Sequence, residues 1–68
     1  MKTFTLTWNN GEIVARDEAG RPIAVTPWLE PITASSDSRQ IAESVMGDTG
    51  CAIESVDHDG EFVFVNCA

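Results

Sequence analysis

Residues 50–68 read Gly50-Cys51-Ala52-Ile53-Glu54-Ser55-Val56-Asp57-His58-Asp59-Gly60-Glu61-Phe62-Val63-Phe64-Val65-Asn66-Cys67-Ala68. Two apolar runs, Cys51–Val56 and Glu61–Cys67, flank Asp57-His58-Asp59-Gly60. β-branched and aromatic residues around a short Asp-Gly loop predict a β-hairpin. With Gly60 in the left-handed position of a three-residue loop, Asp57 faces Glu61 across the hairpin. The pairs behind them are then Ser55/Val63, Ile53/Val65 and Cys51/Cys67 on one face, with Val56/Phe62 and Glu54/Phe64 on the other. The second strand is apolar on both sides, which predicts an interior strand in a sheet with both faces at least partly covered.

Upstream, Phe4, Leu6 and Trp8 alternate with Thr3, Thr5 and Thr7, so residues 1–8 read as a half-buried strand. Asn9-Asn10-Gly11 supplies a tight turn, and Glu12–Arg16 returns as a second strand. Asp17–Gly20 turns again into a weaker third strand, Arg21–Thr26, where Pro22 demands an edge position. Pro27–Pro31 is a stiff crossover. Within it, Trp28 has two readings, an exposed partner anchor or a lid on the open end of the core; the lid is preferred because so small a domain needs every large apolar residue.

Ser36 or Asp37 can cap the only helix, and Asp37-x-x-Gln40 has capping-box spacing. Ile41, Ala42, Val45 and Met46 share one stripe, Arg39 and Glu43 can pair on the outer side, and Gly47 ends the helix. About three turns are too few to be stable alone, so the helix must lie on the sheet. The expected architecture is a single α+β domain over residues 1–68, β-β-β-α-β-β, with one helix on an antiparallel sheet. The expected core is Phe4, Leu6, Trp8, Ile13, Val25, Ile41, Val45, Met46, Ile53, Val63 and Val65.

Sixty-eight residues allow one small core; a chain of this size buries only about 60% of its unfolded surface. No apolar run approaches the ~20 residues of a membrane span, and the N-terminus lacks a signal-peptide layout. A soluble, cytoplasmic, monomeric protein is therefore expected. The formal net charge is -7. Residues 1–36 hold four acids against three bases, whereas residues 37–68 hold seven acids against Arg39 alone. Such a surface repels nucleic acid and anionic membranes and attracts basic protein surfaces.

Catalytic chemistry has little to build on. His58, the only histidine, sits at the expected hairpin tip, outside any desolvated pocket. The run from Asp57 to Glu61 lacks the ligand ladder of a calcium loop. Two cysteines are short of the four ligands of a zinc site. No Gly-rich phosphate loop is present. The sequence thus predicts a non-enzyme with no cofactor and no metal. A disulfide between Cys51 and Cys67 is geometrically open in the hairpin register, but two reduced, buried thiols are expected in a reducing cytoplasm.

The acids carry more information. Asp48 follows the helix C-terminus, where the macrodipole disfavours it, and Asp57, Asp59 and Glu61 crowd one turn. Local stability given up in this way can mark a binding face; a solvated, solubilising surface is the competing reading. The candidate partner-binding residues are Asp37, Glu43, Asp48, Glu54, Asp57, Asp59 and Glu61, expected as one negative face formed by helix and hairpin.

With its acidic C-terminal half, the short helix Asp37–Met46 and the end at Cys67-Ala68, the chain resembles the small phage-borne anti-CRISPR proteins. In length and hairpin-helix-hairpin layout it is most similar to inhibitors of type I Cascade complexes such as type I-C. The resemblance is one of profile and transfers no residue by position. It implies a non-enzymatic DNA mimic, acting inside a host bacterial cell, that occupies the basic channel or PAM-reading site of a Cascade subunit. The alternative is a small protein-interaction module, antitoxin-like or an accessory subunit, binding through Trp28, Leu29 and the sheet edges.

Overall fold

The computed structural model describes residues 2–68; Met1, where the first strand was expected to begin, lies outside the described residues. The elements are β1 (Lys2–Asn9), β2 (Glu12–Arg16), β3 (Pro22–Pro27), α1 (Ser38–Met46), β4 (Ile53–Asp59) and β5 (Phe62–Cys67). All strand pairs are antiparallel, in the order β3-β2-β1-β5-β4. The α+β architecture predicted from the sequence is the one found.

The central strand β1 is placed by its alternation. Leu6 stands between Ala15 and Val63, Trp8 pairs with Ile13, and Phe4 pairs with Val65. Leu6, Ile13, Ala15, Val63 and Val65 are all fully buried. Asn10 (φ 51°) and Gly11 (φ 83°) close the first hairpin with two positive φ angles, the signature of a type I′ turn. Asp17 holds the next turn, its carboxylate accepting from the Ala19 and Arg21 backbone N–H groups at 2.9 Å each. β3 is an edge strand, bounded by prolines as its sequence requires.

Asp37, rather than Ser36, caps α1; its carboxylate accepts from the Gln40 N–H at 3.2 Å. The Ser36 hydroxyl accepts instead from the Thr33 N–H at 2.9 Å. Gly47 stays right-handed (φ -59°), and Thr49 closes the helix, donating to the Met46 carbonyl from N (3.2 Å) and Oγ1 (2.7 Å). A Cβ at residue 47 would stand 2.9 Å from the Glu43 carbonyl oxygen, so the glycine is required by close approach. Ile41, Ala42, Val45 and Met46 face the sheet, and α1 touches both edge strands, β3 and β4, so the sheet curls around it.

Four expectations need correction. First, the last hairpin closes in two residues, not three: Asp59 pairs with Phe62, and only Gly60 (φ 58°) takes positive φ, the pattern of a type II′ turn. Asp57 therefore faces Phe64 rather than Glu61, Val56 rather than Ile53 opposes Val65, and His58 rather than Ser55 opposes Val63. Second, α1 covers only one face of the sheet, and Val25, expected in the core, lies on the other at 54% exposure. Third, Ile32 was absent from the expected core but is buried, entering it from the irregular crossover. Fourth, Cys51 and Cys67 are joined as a disulfide, not reduced, with Cα atoms 5.4 Å apart. They are not cross-strand partners. A register shift at Glu54 sets Ile53 opposite Cys67, and Cys51 reaches it diagonally, ahead of β4.

Candidate protein-binding surface

Because side chains alternate along a strand, the face opposite α1 follows from the register. It carries Thr3, Thr5 and Thr7 from β1, Val14 and Val25 from β2 and β3, Phe62, Phe64 and Asn66 from β5, and Ser55, Asp57 and Asp59 from β4. Polar groups at one end are knit together. The Thr3 hydroxyl donates to Asn66 Oδ1 (2.8 Å), while Asn66 Nδ2 donates to Ser55 Oγ (2.9 Å) and Asp57 Oδ2 (3.2 Å). Towards the other end, the Phe62 and Phe64 rings stack with centroids 6.4 Å apart, and Phe62 is 45% exposed.

The seven candidate acids are all exposed, but they do not form one face. Asp57 and Asp59 project from the open face of edge strand β4, Glu54 sits at its register shift, and Glu61 lies in the β4–β5 turn. Asp37 and Glu43 belong to the helix, on the opposite side of the sheet, and both are engaged. Asp37 caps α1, and Glu43 Oε2 accepts from Arg39 Nε at 3.3 Å. Asp48 lies at the far end, where with Lys2, Asp17 and Glu18 it borders an open cleft of about 600 Å³. The single negative face expected from helix and hairpin carboxylates together is therefore not formed. What the fold brings together is Glu54, Asp57, Asp59 and Glu61 on one hairpin. Arg39–Glu43 is the only salt bridge among the described residues, so none of these four acids is neutralised by a cation.

The remaining candidates also find definite places. His58 is half-buried on the helix side of β4, with Nε2 2.9 Å from the Gly60 carbonyl, so it clamps the turn instead of standing at an exposed tip. Trp28 is half-buried against the core, as the lid reading required. Its backbone N–H donates to the Gly11 carbonyl and its backbone carbonyl accepts from Trp8 Nε1, both at 2.9 Å. Leu29 beside it is 97% exposed. Among the described residues no group of three or more His, Cys, Asp or Glu side chains is placed to hold a metal ion. No helix described is long and apolar enough to cross a membrane.

Neither the known protein-family models, nor the curated proteins, nor the solved structures contain a match to this chain.

Proposed function

We propose that the protein is a non-enzymatic inhibitor that binds the DNA-reading surface of a Cascade-type complex through its acidic β4–β5 hairpin and keeps target DNA away. The observation that carries this reading is the grouping of Glu54, Asp57, Asp59 and Glu61, exposed and free of ion pairs, on one edge hairpin. Asp57 and Asp59, two residues apart on one strand, are spaced about 6–7 Å along the chain, a scale comparable to successive phosphates. Arginines that read a PAM do so through charge-assisted contacts that carboxylates can capture. Asp37, Glu43 and Asp48 lie outside this edge and contribute through the overall field alone.

Neutralising the hairpin tests the reading. Asp57→Asn, Asp59→Asn and Glu61→Gln should each weaken binding modestly, by roughly 0.5–1 kcal/mol or two- to fivefold, as rim charges do. The triple variant should lose inhibition while the domain stays folded, because all three side chains are exposed and the Asp57→Asn amide oxygen can still accept from Asn66 Nδ2. A triple variant that inhibits like the parent would reject the hairpin as the binding edge.

A second reading, a module held by apolar contact, draws support from Leu29, whose side chain stands almost wholly in water. In that case Leu29→Ala would abolish binding, and binding would tolerate salt. An interface carried by the hairpin acids should instead weaken steeply as salt rises.

A further inference from the structure

The register places Lys2 and Phe4 on the side of the sheet that carries α1, in line with buried Leu6, and sets Lys2 directly opposite Cys67 on β5. Side chains paired in this way stand about 5 Å apart at Cβ. α1 stops at Met46, and the loop that follows it borders a cleft of about 300 Å³ whose lining includes Lys2, Phe4, Ile23, Gly50, Cys51 and Cys67. This cleft adjoins the wider one bordered by Asp17, Glu18 and Asp48, with which it shares Lys2, Phe4, Ile23 and Thr49. The disulfide thus lies at the surface of a cleft, and its two ends differ. Cys51 is half-buried, whereas Cys67 is only 4% exposed and has the Lys2 side chain as its cross-strand neighbour. Lys2 forms no salt bridge among the described residues.

We infer that the Cys51–Cys67 disulfide is a thiol-exchange site, attacked at Cys51 by small thiols entering through this cleft, cationic ones first. The attacking thiolate bonds to Cys51 Sγ as the bond between the two Sγ atoms breaks. The electron pair leaves on Cys67 Sγ, which takes a proton from water. A second thiol then displaces Cys51 from the mixed disulfide, so two small thiols are oxidised to one disulfide and both cysteines are reduced. Which sulfur is attacked depends on access and on how readily the other one leaves. Access favours Cys51, and the Lys2 ammonium stabilises the thiolate that Cys67 becomes. The net charge of -7 and the three acids of the wider cleft attract cationic thiols and repel anionic ones. The crosslink pins the open end of the β4–β5 hairpin, so exchange frees the segment ahead of the register shift at Glu54. No partner protein takes part, so failure of the exchange would leave the acidic-edge reading untouched.

The test treats the full oxidised chain under native conditions with cysteamine or glutathione, quenches with iodoacetamide and maps the products by mass spectrometry. The early product should carry the small thiol on Cys51 and the alkyl group on Cys67. Relative to their rates with a linear peptide disulfide, cysteamine should outpace glutathione by roughly tenfold at low salt, and the gap should close as salt rises. Lys2→Gln should slow exchange roughly threefold, and Lys2→Arg should keep the parent rate. Arg39→Gln removes the same charge from the outer side of α1 and should leave the rate within about 1.5-fold. Sub-denaturing urea should not change the rate. The assignment is overturned by adducts chiefly on Cys67, by no preference between the two thiols, or by equal rates in Lys2→Gln and Arg39→Gln. A rate that climbs roughly fivefold per molar urea would also overturn it, since exchange would then occur only in the unfolded chain.

Discussion

Removing the Cys51–Cys67 disulfide, by reduction or by paired alanine substitution, lowers the unfolding free energy by about 3 kcal/mol, the chain-entropy value for a loop of ~15 residues. The two cysteines are 16 residues apart, so the crosslink spans β4, its turn and the whole of β5. Small domains hold only about 5–15 kcal/mol in total, so this is a large share. The melting temperature should fall by roughly 12–24 °C, at 4–8 °C per kcal/mol for a chain of this length. Urea unfolding with and without reductant measures the effect. A change below about 1 kcal/mol would show that the Thr49 bonds to Met46 and the Ala68–Ala52 backbone bond already hold this end without the crosslink.

Leu6→Ala should cost a comparable amount, about 3–4 kcal/mol, through lost burial and the cavity left behind. Leu6 is fully buried at the centre of the sheet, with Ala15 and Val63 as its cross-strand neighbours. Neither neighbour can grow into the space. Val25→Ala should cost less than about 1 kcal/mol, since Val25 lies half in water on the open face. The two substitutions compared by urea unfolding test which face of the sheet carries the core. Equal costs would contradict the assignment.

These expectations depend on a register that the sequence left open, for a physical reason. Gly60 was readable as the positive-φ residue, but two- and three-residue hairpin loops both use such a glycine. The choice then falls to the strands, and Phe62-Val63-Phe64-Val65 is apolar on both sides, so a slip of one residue is weakly opposed. Pairing with β1, where Phe4 and Leu6 meet Val65 and Val63, decides it. The shift at Glu54 then changes the count again, which is why Cys51 and Cys67 meet even though the pairs between them differ from those expected. Ile32 was unreadable on other grounds. It stands in a stretch without helical or strand periodicity, and only the folded crossover turns it inward.

The helix was the most legible element. Asp37-x-x-Gln40, the Ile41–Met46 stripe and Gly47 all act within one or two turns, and the structure keeps each boundary to within a residue. The acids were the least legible as a site. Their number and their excess after residue 37 are visible in the sequence, but which face each occupies depends on strand parity and on where the helix lies. Val56 and His58 turn towards α1, which sends Asp57 and Asp59 to the opposite face, away from Asp37 and Glu43. A seven-residue face thereby becomes a four-residue edge. The reduced state expected of the cysteines came from the assumed compartment; geometry alone had left the disulfide open.

Occupation of a DNA-reading surface is tested most directly by competition. Purified Cascade is offered labelled target duplex together with increasing amounts of the protein, and the DNA-bound fraction and the composition of the complexes are measured. Mutual exclusion is the predicted result, with bound DNA falling as the protein is added and the protein displaced again by excess duplex. A stable ternary complex holding both DNA and the protein would contradict it.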